Sequence, residues 1–378
     1  MIVVGLAVVA GVITITFALT GDGSEGDAEV DTTSWAEVTA GAEGQTVRLW
    51  MWGGEAALNS YIDNEVATAA QEAGVTLERV PIDDTASAIA RLATEAEAGT
   101  DDGAIDLLWV NGKNFEQGAD AGLWLTNWVQ QLPNAALLDH GDATLWNDFG
   151  VPTLGQEMPW SRAAFVFAYD SASVKEPPRS FEELLKYARA NPGRIAYPAP
   201  PDFTGSAFVR QAVQALGEDA AFELLRELDP LLWRSGETYP VDQAEVEQLF
   251  AAGEIDLAMS YNPNFVDVAV QRGSFPETVR PYVFESGTLQ NVSFLAIPAR
   301  ASSPHAAMVV ANLMLSPELQ TAKLDLVGIP PVLPAAELDV DTSGTSAFRL
   351  AEFGTPLEEL PADRVPEIDR RWIAEVAE

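Results

Sequence analysis

The chain has 378 residues, 57 acidic against 21 basic, and a formal net charge of −36, which disfavours nucleic acid and anionic lipid surfaces as partners. Apolar residues make up 47%, enough for two lobes with separate cores. The absence of cysteine excludes disulfides, thiolate metal sites, a cysteine nucleophile and a lipid-bearing N-terminal Cys.

Residues 1–21 are uncharged and almost wholly apolar. At about 1.5 Å per residue they would span a bilayer. They read as a membrane anchor or an export signal, and either places the folded body outside the cytoplasm. Residues 22–43 read as an acidic tether, with 21–34 lacking any periodicity. The body then starts near Gly44 with a buried strand over 47–52. A helix follows, with Leu58, Ile62, Val66, Ala69 and Ala73 on one face and Gly74 as its stop. Next come a strand over 77–82 and a helix capped by Asp84 or Thr85, with Ile89, Leu92, Ala93 and Ala96 facing inward. A strand over 105–110 completes β-α-β-α-β, which predicts a parallel sheet with right-handed crossovers.

The Pro- and Gly-rich stretch 148–160 is the expected crossing to a second lobe. That lobe opens with a strand over 163–169. Ser180 and Glu183 form a capping box for a helix over 181–190. A strand over 195–199 follows, then a helix capped by Thr204 or Ser206 that runs to Leu216. Residues 242–256 read as helix then strand around Gly253, and the strand continues over 255–261. The return crossing falls at 284–294, with a strand over 291–297 and two helices within 303–327. The expected organisation is lobe one at 44–152 plus 290–327, and lobe two at 153–289 plus 328–378. The cleft would lie between hinged lobes.

One pattern recurs along this α/β chain. Apolar strands end in small, polar or aromatic residues just before a helix. Ligands of open α/β sheets bind beyond the carboxyl ends of the strands. The candidate contacts are therefore Trp52, Gly53, Gly54, Thr85, Asn111, Trp160, Asp202, Thr204, Gly205, Tyr261 and Asn262. Trp52 and Trp160 offer stacking faces, and Asn111 and Asn262 offer an amide donor and acceptor. Asp202 suits a positive or hydroxyl-rich group, and the helix start at Thr204–Ser206 suits an acceptor. Each has a plainer reading: core filling for the tryptophans, an Asx turn for Asn111, a tight turn for Gly53-Gly54, and capping for Thr204. The acidity likewise reads either as a solvated surface suited to saline surroundings or as a cleft that attracts a cation.

Catalytic signals are weak. His140 and His305 are the only histidines and lack metal-ligand spacing; G-x-S-x-G and G-K-[ST] loops are absent. The residues favour a binder with no catalytic or metal site and no cofactor. A hydrolase using Asp202 and Glu157 as acid and base, or a ligand-sensing domain, are the alternatives.

Four stretches carry a resemblance: Trp52-Gly53-Gly54; Asp106 to Phe115 (DLLWVNGKNF); Val151 to Gly155 with Pro159-Trp160; and Tyr197 to Gly205 (YPAPPDFTG). From about Gln45 onward the chain resembles the extracellular solute-binding proteins of ABC importers, in particular the YnjB-like branch. The resemblance implies a two-lobe, type II periplasmic-binding fold that closes over a small solute and docks on ABC permease membrane subunits. It names no solute. It fits a monomer outside the cytoplasm that touches the membrane only through its N-terminal segment.

Overall fold

The computed structural model describes residues 34–338, apart from 54, 83 and 84, and residues 355–377, apart from 358. The segment 1–21 and residues 22–33 of the expected tether lie outside the described residues. No helix among the described residues is long and apolar enough to cross a membrane.

The folded body begins earlier than Gly44. The Ser34 hydroxyl donates to the Glu37 carboxylate at 3.0 Å and accepts from Glu37 N at 3.4 Å. This Ser34 N-cap starts α1 (Trp35–Ala42) inside the segment expected to be tether. Val38 and Ala42, one turn apart, are fully buried. A Cβ on Gly41 would come within 2.3 Å of His305 Nδ1, so this glycine is where α1 touches a later helix.

β1 (Thr46–Trp52) and β2 (Thr76–Ile82) pair in parallel from Thr46 opposite Thr76 to Trp52 opposite Ile82. Between them α2 (Ala56–Tyr61) runs through a π-helical stretch, Ile62–Val66, into α3 (Ala67–Glu72). Leu58, Ile62 and Val66 are buried, as their spacing predicts. α4 (Thr85–Glu97) buries Ile89 and Leu92 and leads to β3 (Leu107–Val110), parallel to β1. After α5 (Lys113–Asp120), β4 (Asn147–Asp148) and β5 (Val151–Pro152) pair antiparallel.

The expected strand over 163–169 is two strands in two sheets. β6 (Glu157–Ala164) and β7 (Val166–Asp170) are separated by Phe165. Beyond them lie α6 (Phe181–Ala190), α7 (Phe203–Leu216), α8 (Glu218–Leu228), α9 (Gln243–Ala251) and β8 (Leu257–Ser260). Then follow α10 (Phe265–Gln271), β9 (Val279–Tyr282), β10 (Thr288–Ala296), α11 (Pro304–Met314) and α12 (Pro317–Val327), with β11 (Pro356–Leu357) and α13 (Val365–Glu375) last.

The first sheet has the order β2-β1-β3-β10-β6, with β11 beside the start of β10. β10 is antiparallel to β3 and β6, and the parallel trio β1–β3 is as expected. The second sheet is β8-β7-β9, antiparallel throughout. Because β6 pairs with β10 from Glu157 to Ala164, the chain leaves the first sheet at Phe165, not within 148–160. Residues 195–199 form no ladder. Pro198, Pro200 and Pro201 remove backbone donors there, and Ile195 O instead accepts a single bond from Trp233 N at 2.7 Å.

Each lobe has its own core. The first packs both faces of its sheet, with Leu49, Leu107, Phe294 and Met308 on one side and Leu108, Val110 and Phe115 on the other. The second is built on Phe167, Tyr197, Phe208 and Trp372. The expected assignment of 328–378 to lobe two splits. Ile329, Val332, Leu333 and Leu338 join the first core, whereas Ile368, Trp372 and Val376 on α13 join the second.

Candidate functional site

Two chain crossings lie side by side between the sheets. Phe165 N donates to Leu289 O at 2.9 Å, where β6 passes to β7 and the chain returns into β10. The facing ends of the lobes meet next to these crossings. At one side of the seam, three second-lobe side chains bind the last carbonyls of α12. Arg272 Nη2 donates to Leu326 O at 2.9 Å, Asn262 Nδ2 to Val327 O at 3.0 Å, and Asn264 Nδ2 to Gly328 O at 2.6 Å. A cavity of about 180 Å³ adjoins them, lined by Ser60, Tyr61, Asn64 and Glu65 of one lobe and Arg272 of the other.

The candidate residues separate into groups. Trp52, at the end of β1, is 37% exposed and free to present a ring face. Gly53 is sterically required: a Cβ there would lie 2.8 Å from Pro81 Cβ on the neighbouring strand. Its carbonyl accepts from Asn59 Nδ2 at 2.8 Å. Gly54 lies outside the described residues. Thr85 is half-buried at the first position of α4. Asn111 is spent inside the first lobe, where Oδ1 accepts from Trp109 Nε1 at 3.0 Å and Nδ2 donates to Val292 O at 2.9 Å.

Trp160 does not stand beside Trp52 as a second stacking face. It is 1% exposed and meets Trp109 edge-on at 5.2 Å. The Lys323 ammonium lies 4.9 Å from its ring centroid. That ammonium also donates to Trp160 O, and its burial lowers its pKa well below the ordinary lysine value.

The α7 start differs from expectation as well. Asp202, not Thr204 or Ser206, is the N-cap, accepting from Thr204 N and Gly205 N at 2.9 Å each. The helix-start N–H groups offered to a solute acceptor therefore already have a carboxylate. Thr204 Oγ1 donates to Gln243 Oε1 at 3.3 Å. Gly205 is needed for close approach, since a Cβ would fall 1.9 Å from Pro198 O. Tyr261 donates its phenol to Glu359 and packs against Phe203 at 5.0 Å. Burial, then the Glu359 charge, pushes its pKa well up and holds it as the phenol. Asn262 serves the α12 contact. Glu157 is fully buried, and burial, with the Asp148 charge adding to it, holds its carboxyl well above the ordinary range.

Several residues with a stake in the seam carried little sequence signal. Glu55 follows Gly53-Gly54 directly. Desolvation, followed by the charge of Glu247 on α9 of the other lobe, raises its pKa to about 7, with Arg272 opposing. The Glu247 carboxyl is raised too, chiefly by burial. Burial lifts Asp148 to about 7 despite its bond from Gly112 N, and the charge of Glu359 adds to the rise. Asp202 is raised by burial, partly offset by its capping bonds. Phe203 at the head of α7 is 47% exposed, a second aromatic surface after Trp52. Nothing local in the sequence links Glu55 to Glu247 or Asp148 to Glu359; the lobes have to be docked first.

The fold is shared with known proteins. A family model described as bacterial extracellular solute-binding protein matches residues 64–349. Protein YnjB of Escherichia coli (strain K12) is 36% identical over 361 residues, 90% of this chain and 93% of that one. The thiamine-binding periplasmic protein of the same organism is 26% identical over 228 residues, 58% of this chain and 62% of that one. A solved periplasmic thiamin binding protein matches with a TM-score of 0.65 at 21% identity, covering 87% of this chain and 94% of that one, which shows the common fold. With two α/β sheets, paired crossings and a seam between them, the chain has the two-lobe, type II periplasmic-binding fold and belongs to the bacterial extracellular solute-binding proteins.

Proposed function

We propose that this chain captures a small cationic solute between its lobes, outside the cytoplasm, and hands it to an ABC permease that reads the closed form. The permease follows from the family, and the apolar run 1–21 suits retention at the membrane face. The observation that carries the choice of charge is Glu55 beside Gly53, its carboxyl raised by burial and then by the charge of Glu247 on the other lobe, with the Glu247 carboxyl raised by its own burial. Asp148 and Asp202 add two more carboxyls held above their ordinary range. Arg272 opposes the Glu55 and Glu247 shifts only in part, a bound cation would add the rest of the counter-charge, and Trp52 and Phe203 offer rings for stacking and cation–π contact. The thiamine-binding relative is named for a heteroaromatic cation, which agrees in charge.

Proton linkage makes this testable. A cation prefers the ionised carboxylates, so binding releases protons wherever Glu55 and Asp148 are still protonated, up to about pH 7. Affinity for the cognate cation should rise about tenfold or more from pH 6 to pH 8. Titration calorimetry with ammonium, heteroaromatic and polyamine probes, beside sugars and anions, measures it. Glu55→Gln with Glu247→Gln should weaken binding about tenfold and flatten the pH profile. Tight binding of a neutral or anionic solute, indifferent to pH, would sink the cation assignment. Without solute the same shifts act on folding. The folded chain keeps protons that the unfolded chain has lost, so these groups lower stability as pH rises from about 4 to about 7.

A further inference from the structure

Arg210 on α7 is 1% exposed, yet it carries a full charge inside the second lobe. Its guanidinium grips Glu359: Nε donates to Oε2 at 2.8 Å and Nη2 to Oε1 at 3.2 Å. Tyr261 donates its phenol to the same Oε1. Nη1 donates to Ser206 Oγ at 2.6 Å, and Ser206 donates to Asp369 at 2.6 Å. The Phe203 ring covers the guanidinium at 5.5 Å. A planar cation with two parallel donors, joined by a phenol, is the donor set that recognises a carboxylate or a phosphate.

The group it holds belongs to the chain itself. Glu359 comes from the segment between β11 and α13, while Arg210 and Tyr261 belong to α7 and the end of β8. Both partners are nearly dry, with side-chain exposures of 1% and 3%. Tyr261 O accepts from Ala164 N at 3.2 Å, and Leu357, two residues before Glu359, pairs with Leu289, so this pair lies next to the two crossings between the lobes. Without Glu359, Arg210 would present a buried cation there and attract anions, opposite in sign to Glu55 and Glu247.

We infer that Glu359 is a specificity-determining residue: its carboxylate fills an anion-binding fork made by Arg210 and Tyr261, and so closes the base of the solute cleft to anionic solutes. This rests on the seam being the solute cleft. A buried ion pair that only ties down the C-terminal segment would leave no site accessible to added anions.

The test uses the full chain and formate, acetate and inorganic phosphate as probes, at constant ionic strength against chloride. Glu359→Ala should show a saturable rise in Tm of about a few degrees with at least one probe. Its affinity for that probe should exceed that of the parent chain at least tenfold. Arg210→Met in the Glu359→Ala background should abolish the response. If Glu359→Ala folds only when formate or phosphate is present, that also supports the fork. Glu359→Gln, which keeps the volume and removes the charge, guards against a folding failure. A Glu359→Ala chain that is blind to all three anions overturns the inference, as does a response equal to the parent's or one that survives Arg210→Met. So does a Glu359→Ala chain unfolded in every anion together with a folded, anion-blind Glu359→Gln. None of these readouts requires the cognate cation, so a failed cation assignment and a failed fork are told apart.

Discussion

Asp106→Ala is expected to cost about 3 kcal/mol of folding stability, because it removes a fully buried carboxylate with several donors from a half-buried Arg48 ion pair. Asp106 is fully buried just before β3. It accepts from Arg48 Nε at 2.8 Å, Arg48 N at 2.9 Å, Ser302 Oγ at 2.8 Å and Ser303 N at 3.0 Å. One carboxylate thus joins β1, β3 and the residues that lead into α11. Truncation strands the backbone donors of Arg48 and Ser303 inside the first lobe. Burial alone would raise this carboxyl, but the Arg48 and Ser302 bonds outweigh it and hold the pKa below the ordinary value. A depressed folded pKa stabilises the fold above the unfolded value, about 3.9, and that contribution fades as pH falls through the lower folded value. Urea unfolding at pH 7 and pH 3 reads both effects. A loss under about 1 kcal/mol at pH 7, or a gap between parent and variant that does not shrink in acid, would refute the account.

Asn262→Ala combined with Asn264→Ala should weaken solute binding about thirtyfold while leaving each lobe folded. The two amides, with Arg272, satisfy three successive carbonyls at the C-terminus of α12, where the helix dipole is negative. All three donors come from the second lobe and all three acceptors from the first lobe or the residue just past it. Asn262, Asn264, Val327 and Gly328 are all buried, so water does not readily replace these bonds. Leaving two carbonyls without partners costs about 1 kcal/mol or more each, and about 2 kcal/mol in the closing equilibrium corresponds to that fall in affinity. Gly328 sets the close approach: it has φ +79°, and a Cβ there would lie 2.7 Å from Val268 Cγ2. Solution scattering on the solute-free variant should report a larger radius of gyration than the parent. An unchanged dissociation constant in a folded double variant would rule out a closing role for these amides.

The lobe architecture was legible where one element's own pattern decides its fate. The apolar face from Leu58 through Val66, the three parallel strands of the first lobe and the capping box at Ser180 all depend on spacing within a single segment, whereas past the π-helical stretch Ala70 is buried and the expected Ala73 is exposed. The YnjB-like resemblance in four short stretches pointed to the same fold. Helix α1 was legible too, through Ser34 and Glu37, but the acidic Gly-rich run before it masked the signal. The error at 163–169 has a different origin. Apolar residues continue without a break through Phe165, so periodicity cannot tell one long strand from two strands in different sheets.

For the candidate contacts, residue type and strand-end position were enough to place Trp52 at an exposed strand end. They were not enough to say which polar groups are already spent. Asp202 caps its own helix, Asn111 binds β10, and Asn262 binds α12. Each of those partnerships except the first joins residues far apart in the chain. By itself the sequence determined a cysteine-free, strongly acidic α/β chain of two lobes with aromatic, Asn and Gly strand ends, because composition and periodicity are properties of single segments. Only the tertiary structure decided that the Glu247 charge acts on Glu55, that Glu359 sits on Arg210, and that the chain crosses at Phe165. Those contacts depend on how two separately folded sheets dock, and no local pattern encodes that docking.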